Sequence, residues 1–152
     1  MPFVDEKWNQ LTDDDWHDFA QAWLAEVRED ELREDEPLDD DDESDSSLGQ
    51  AVVAMNFTAP AEKQWKFILL AVSLAESEGE LGDIAAGPIE HLLGWHGDEY
   101  ISRIEEQAES DAKFASAMLG VWQYMMTEEI WARVQAIQER VEKQQTSNAG
   151  DA

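Results

Sequence analysis

Two histidines and three carboxylates lie within the sixteen-residue stretch AAGPIEHLLGWHGDEY at 85–100. These residue types serve two kinds of chemistry. In a zinc site, imidazole and carboxylate groups bind the metal, and in general acid–base catalysis a carboxylate orients a histidine that moves a proton. Glu90 and His96 form the pair that could serve either purpose. The spacing of the stretch decides which kind of site it favours.

The spacing argues against zinc. His91 and His96 are five residues apart, which is about 500° around a helix, so the two rings point in different directions. The i, i+4 spacing of two zinc-binding histidines is absent, and no third strong ligand follows at a suitable interval. We therefore expect no cofactor. Catalysis by Glu90 and His96 is kept as an alternative, although no nucleophile elbow or phosphate loop accompanies them.

A structural role is the favoured interpretation of the stretch. In it, Glu90 and His96 hydrogen-bond across a helix–turn–helix hinge, and Gly97 supplies a positive φ for the turn. The chain is expected to break at Gly87–Pro88 and to stop at Gly94 and Gly97. Trp95, flanked by glycines and acids, has two interpretations: an exposed side chain that contacts a partner, or a partly buried lid on the hairpin.

From 85 to 123 the sequence resembles an uncharacterised bacterial domain family. Its pattern is Ala-Gly-Pro-hydrophobic-Glu-x-Leu-Leu, followed by His-Gly and then Gly-Val-Trp. The matching residues are Gly87, Pro88, Glu90, Leu92, Leu93, His96, Gly97, Gly120, Val121 and Trp122. The resemblance covers roughly 50–135, and His91 stands where the pattern has an acid. The family has no established activity, so the resemblance supports only the fold prediction.

Hydrophobic periodicity predicts an all-α fold of six to eight helices, with no segment of convincing strand alternation. We expect a single helical domain over 1–145, with an acidic loop at 34–47, and a flexible tail over 146–152. Helices are expected near 11–32, 46–57, 58–79, 99–110, 112–126 and 128–145, with two short helices on either side of the break at Gly87–Pro88. Thr12, Asp111 and Thr127 are predicted helix caps, and the last helix is predicted to pack along one apolar seam. The predicted inward-facing residues include Trp16, Phe19, Ala20, Trp23, Leu24, Val52, Val53, Phe57, Trp65, Ile68, Leu69, Val72, Trp122, Ile130, Trp131, Val134, Ile137 and Val141.

Charge is the outlying property of the composition. The 152 residues carry a formal net charge of −26 and a pI of about 4.1. The segment 26–45 alone has thirteen acids and two arginines, a net −11, and the remainder carries −15. Such a surface repels nucleic acid and anionic lipid and attracts basic proteins. The chain has no cysteine, which excludes disulfides and thiolate sites. The start has no signal-peptide pattern and FILLAV is too short to span a bilayer, so a cytoplasmic protein is expected.

The leading functional interpretation is a small acidic helical module that binds a basic protein such as a nuclease or toxin. It resembles immunity proteins and DNA-mimic inhibitors in size, acidity and helical content alone. The predicted partner-binding residues are Asp39, Asp40, Asp41, Asp42, Glu43 and Trp95. Three alternatives remain: a solubilising linker at the acidic run, salt adaptation without a specific partner, and an enzyme or metal protein built on Glu90 and His96.

Overall fold

The computed structural model describes residues 6–32 and 47–150, and no β-strand occurs in these two ranges. Seven α-helical segments lie within them, so the all-α prediction is confirmed. After a 3-10 turn at Glu6–Gln10, the helices are α1 Asp13–Leu32, α2 Ser47–Thr58, α3 Ala61–Leu74, α4 Glu78–Ile84, α5 Glu90–Ser110, α6 Ala112–Met118 and α7 Glu128–Gly150.

The described residues form two compact units, one within Met1–Glu80 and one within Leu81–Ala152. A single domain over 1–145 stays a prediction. The acidic run that contains Asp39 to Glu43 lies outside the described residues. At the other end, α7 includes residues 146–150, which composition had placed in a polar tail, because no proline interrupts the helix there.

The first unit begins with a reciprocal cap on α1. Thr12 Oγ1 accepts from the Asp15 N–H at 3.1 Å, and Asp15 Oδ2 accepts from the Thr12 N–H at 2.9 Å. This arrangement satisfies an otherwise unpaired N–H of the first turn. The cap that the sequence predicted at Thr12 is therefore confirmed.

Aromatic side chains fill the space between α1 and α3. Trp16 is fully buried, and the Phe19 and Phe67 ring centroids are 5.1 Å apart. Trp8, which fitted no predicted stripe, is also buried, stacks 5.9 Å from Trp16 and donates to Thr58 Oγ1. These contacts give the first unit its own core.

Two predicted helix faces in the first unit are correct at Val52, Ile68 and Val72, which are buried, but wrong at other positions. On α3 the buried stripe is Gln64, Phe67, Ile68, Ala71 and Val72, so Trp65 and Leu69 are only partly buried. On α2, Val53 and Phe57 are exposed while Met55 and Asn56 are buried. Both helices are apolar on more than one side, and periodicity alone does not then select the face that packs. In addition, α3 ends at Leu74 rather than Gly79, since Ala75 is extended.

A buried carboxylate joins α1 to the start of α4. Glu80 is 1% exposed and accepts from Arg28 Nε at 2.8 Å and from Ser77 Oγ at 2.9 Å. Burial raises the pKa of Glu80, but the hydrogen bonds from Arg28 and Ser77 outweigh it, and the pKa is lowered overall. The charge of Glu80 is therefore compensated inside the unit.

The second unit packs α5, α6 and α7 together. The predicted α7 seam of Ile130, Val134, Ile137 and Val141 is buried throughout. Its predicted cap is also present, because Thr127 Oγ1 accepts from the Ile130 N–H. Asp111 Oδ1 caps α6 as predicted, accepting from the N–H groups of its first turn.

No helix break occurs at Gly87–Pro88, contrary to the prediction. Residues Ala85–Ile89 form one π-helical turn that runs directly from α4 into α5. The Glu90 N–H reaches the Ala85 carbonyl five residues back, and this wider turn accommodates a proline that lacks its own N–H. The predicted stop at Gly94 is wrong, and neither Gly94 nor Gly97 has the positive φ that was expected. The helical path is nevertheless interrupted beside Gly97, because His96 has non-helical φ and ψ angles.

Candidate functional site

The residues that follow α6 lie against the first turns of α5. The helix ends at Met118, so Trp122 is not part of it as the sequence had suggested. Gln138 of α7 donates from one amide nitrogen to the carbonyl oxygens of Met118 and Val121, each at 2.9 Å. We call residues 119–127 the crossing segment. Its beginning is thus held by α7.

Glu90 holds the crossing segment from the other side. Its Oε1 accepts from the Trp122 N–H at 2.8 Å, although the two residues are 32 positions apart. The Glu90 side chain is buried. Burial raises the pKa of its carboxyl group, whereas the Trp122 N–H and the neighbouring His91 lower it, and the net shift is upward. A buried acceptor thereby fixes the backbone at Trp122.

Further residues of α5 contact the crossing segment after Glu90. The His91 and Tyr124 ring centroids are 5.0 Å apart. A Cβ on Gly94 would stand only 2.7 Å from the Tyr124 carbonyl oxygen, so only glycine allows the segment to approach this closely. At Met125 the backbone takes a φ of 56°, an uncommon conformation for a residue with a side chain. The segment therefore follows α5 in one defined path.

This path leaves four large side chains in solvent. Trp122 is 73% exposed, Met125 56%, Tyr124 39% and Trp95 37%. We call these four residues the aromatic patch. The prediction that Trp122 is a core residue is wrong, because it assumed that α6 continues to 126. The exposure of Trp95 agrees with its expected position, while its partner contact stays a prediction.

Exposed acidic residues lie next to the aromatic patch in the sequence. Asp98 and Glu99 are exposed on α5 beside Trp95, and Glu128 and Glu129 are exposed where α7 begins. A small pocket of about 180 Å³ lies at this edge, between Trp95 to Glu99 and the side chains of Met125 and Ile130. Both aromatic and acidic groups are therefore available at one place.

The predicted pair of Glu90 and His96 is not brought together. Within the described residues they share no hydrogen bond: Glu90 accepts from Trp122, and His96 lines the small pocket. His96 instead separates two helical stretches of α5 by a kink, with non-helical φ −135° and ψ 29°. Gly97 is buried against Ile130, where a Cβ would lie 3.2 Å away. The expected hinge is thus a kink at His96, without the predicted contact between Glu90 and His96.

No metal centre emerges from the described side chains. Nowhere in the ranges 6–32 and 47–150 do three or more histidine, aspartate and glutamate residues gather so that they could hold an ion. His91 instead places Nδ1 2.8 Å from the Gly87 carbonyl oxygen. The histidines of the opening stretch therefore have roles in the helix and the pocket wall.

A larger cavity of about 680 Å³ lies between α5 and α7. Two of its carboxylates already pair with arginines: Arg140 donates to Glu109 at 2.8 Å, and nearby Arg133 donates to Glu105. The hydrogen bond that Arg133 donates to Glu105 raises the pKa of Arg133, and burial opposes this effect without outweighing it. The cavity is lined by both acidic and basic groups. The smaller pocket, which has neither lysine nor arginine among the described residues that line it, is therefore the more selective of the two for a cationic group.

One signal in the sequence indicates the crossing segment. The residues GVWQYMMTEE contain a glycine and then a threonine cap, and this separation marks a connection rather than one long helix. None of the described helices is long and apolar enough to cross a membrane.

Comparison with known proteins identifies the domain but no activity. No curated protein and no solved structure matches this chain. A family model matches residues 36–142, which include Glu90, the crossing segment and Trp95. The chain therefore belongs to the Family of unknown function (DUF6869).

Proposed function

We propose that this protein is a binding module that docks a basic partner protein through the aromatic patch. One observation carries the proposal: four large apolar side chains are exposed, and partly buried hydrogen bonds with Glu90 and Gln138 hold the segment that carries three of them. Tryptophan and tyrosine dominate the binding energy of many interfaces. A patch that is both apolar and rigid loses little conformational entropy when a partner covers it.

Charge supports a basic partner. The exposed carboxylates of Asp98, Glu99, Glu128 and Glu129 flank the patch, within a chain of net charge −26. Opposite charge raises the rate of encounter, and like charge disfavours nucleic acid and anionic lipid as direct ligands. The proposed partner is therefore a protein rather than a polyphosphate or a membrane.

The acidic run is assigned a steering role in this proposal. Asp39, Asp40, Asp41, Asp42 and Glu43 concentrate negative charge in a few residues. Nucleic-acid-binding faces are basic, so a nuclease or a nucleic-acid-binding toxin has the complementary chemistry. An inhibitor of the immunity-protein kind, acting in the cytoplasm, is the function that we propose.

A displayed library of short random peptides tests this function and does not require the partner to be identified first. We expect selection on the full chain to enrich peptides that combine arginine or lysine with apolar residues. Trp122→Ala should lower the affinity for the selected peptides by about tenfold or more. This is the effect of removing an interface side chain that contributes over about 1.4 kcal/mol to binding.

The control is Val53→Ala, which shortens an exposed apolar side chain on α2. It should leave peptide binding unchanged. The proposal is overturned if no peptide is enriched, if the enriched peptides are acidic, or if Trp122→Ala binds them as well as the wild type. Absence of enrichment is also the result that salt adaptation without a partner predicts.

A further inference from the structure

The small pocket beside Trp95 has a size that restricts its occupant. Its volume is about 180 Å³. Pockets for drug-sized ligands or cofactors are usually about 300–1,000 Å³. A single amino-acid side chain is therefore a better match than an independent small molecule.

The walls of this pocket combine three kinds of group. Leu93 and Ile130 are buried and provide an apolar floor. Trp95 contributes an indole ring that is 37% exposed. Asp98 and Glu99 contribute exposed carboxylates, and His96 is the one residue of basic type among the described residues that line the pocket.

Each kind of group suits a part of one side chain. An apolar floor accepts a methylene stem, while the charged end stays near water. An indole face attracts a planar guanidinium through stacking and cation–π interaction. Carboxylates accept charge-assisted hydrogen bonds from the same guanidinium. Arginine satisfies all three conditions, whereas the ammonium of lysine cannot stack as a plane.

We propose that the Trp95 pocket binds one arginine side chain of the basic partner. This inference rests on the proposed function and names its anchoring contact. The larger cavity is a poorer arginine site, because Arg140 and Lys143 are among its own lining residues. The pocket would thus set specificity, while the aromatic patch supplies contact area.

An NMR titration of the full chain with the tripeptide Gly-Arg-Gly tests the proposal. The seven tryptophans should give seven indole N–H signals. The signal that disappears in Trp95→Phe identifies Trp95. We expect the chemical shift of this signal to change as the arginine peptide is added, until the site is saturated. Gly-citrulline-Gly, which has the same shape without the charge, should bind at least about tenfold more weakly.

A charge-matched pair of variants separates local recognition from general attraction. The double variant Asp98→Asn with Glu99→Gln should bind the arginine peptide about tenfold more weakly than the wild type does. Glu139→Gln with Glu142→Gln removes the same charge from exposed positions on α7 and should have a much smaller effect. Equal effects of the two double variants, equal binding of citrulline, or an unmoved Trp95 signal would overturn the proposal.

The library selection distinguishes failure of this inference from failure of the proposed function. A selected basic peptide that depends on Trp122 but is indifferent to Trp95, Asp98 and Glu99 contradicts the arginine pocket and supports the docking function. A library that yields no binding peptide contradicts both.

Discussion

The Glu90 carboxylate and the Trp122 backbone N–H, 32 residues apart, form a 2.8 Å hydrogen bond. One partner is buried in the first turn of α5, and the other belongs to the most exposed tryptophan described in the chain. A buried charged group thus positions a surface side chain without touching its ring. The structural role expected for Glu90 is present, but with a different partner from His96.

Replacing Glu90 by glutamine should preserve or raise stability at neutral pH. Folding raises the pKa of this carboxyl group, so the folded state favours the uncharged form. Glutamine is uncharged and can still accept from Trp122. The free energy of unfolding of Glu90→Gln should therefore equal or exceed that of the wild type at pH 7. The difference should shrink as the pH falls through the raised pKa of Glu90 and vanish below the ordinary value of 4.5, where the wild type is protonated in both the folded and the unfolded state.

Glu90→Ala is the matched comparison and should be destabilising. It removes the acceptor and leaves the Trp122 N–H unpaired, at a cost of about 1–3 kcal/mol in chemical denaturation. If Glu90→Gln costs as much as Glu90→Ala at pH 7, the negative charge itself is required, and a role in chemistry or binding replaces the positioning role.

Gly94→Ala should destabilise the second unit. The new methyl group would overlap the Tyr124 carbonyl oxygen, and relief requires displacement of the crossing segment. We expect a net loss of about 1–2 kcal/mol, since overpacking exceeds the gain in helix propensity. Gly82→Ala in α4 is the control, because a Cβ there meets nothing within 4 Å. It should stabilise by about 0.5–1 kcal/mol, and a similar gain in Gly94→Ala would show that the segment is not closely packed.

Arg28→Met should destabilise the first unit in a pH-dependent manner. It leaves the Glu80 carboxylate buried without its cation, at an expected cost of about 2–3 kcal/mol, reduced from a fully buried pair because Arg28 is partly exposed. The lowered pKa of Glu80 stabilises the wild type above the ordinary value of 4.5, and this contribution is lost as the pH falls through the lowered pKa. The difference in the free energy of unfolding between the variant and the wild type should therefore become smaller at acidic pH. A cost that does not vary with pH would indicate lost packing alone.

Neutralising Asp39–Asp42 and Glu43 to asparagine and glutamine should slow association with a selected basic peptide at low salt. Long-range attraction affects encounter more than dissociation, so the dissociation rate should change little. Thermal unfolding is the control for an intact domain. An unchanged association rate would make the run a solubilising linker.

Sequence patterns predicted the features that depend on local physics. Thr12, Asp111 and Thr127 were recognised as caps because their hydroxyl or carboxylate groups precede periodic apolar residues. The α7 seam was recognised because Ile130, Val134 and Ile137 recur with one-sided spacing. Each of these signals lies within a few residues of the structure that it specifies.

The features that sequence reasoning missed depend on contacts between distant segments. Pro88 suggested a break, yet a π-helical turn absorbs it within a continuous helix. Trp122 was predicted to be a core residue, because nothing nearby in the sequence shows that its segment leaves the helix and is held by Glu90 and Gln138. Tertiary hydrogen bonds of this kind override a local apolar pattern, and they also determine where the candidate site lies.

The central claim separates charge steering from aromatic anchoring, and one kinetic comparison tests it. The association and dissociation rates of a library-selected basic peptide would be measured at low and high salt, for the wild type and for Trp122→Ala. We predict that salt slows association similarly for both proteins, because screening shortens from about 10 Å at 0.1 M to about 3 Å at 1 M. Trp122→Ala should mainly accelerate dissociation. Dissociation that is unchanged by Trp122→Ala, together with association indifferent to salt, would contradict the account.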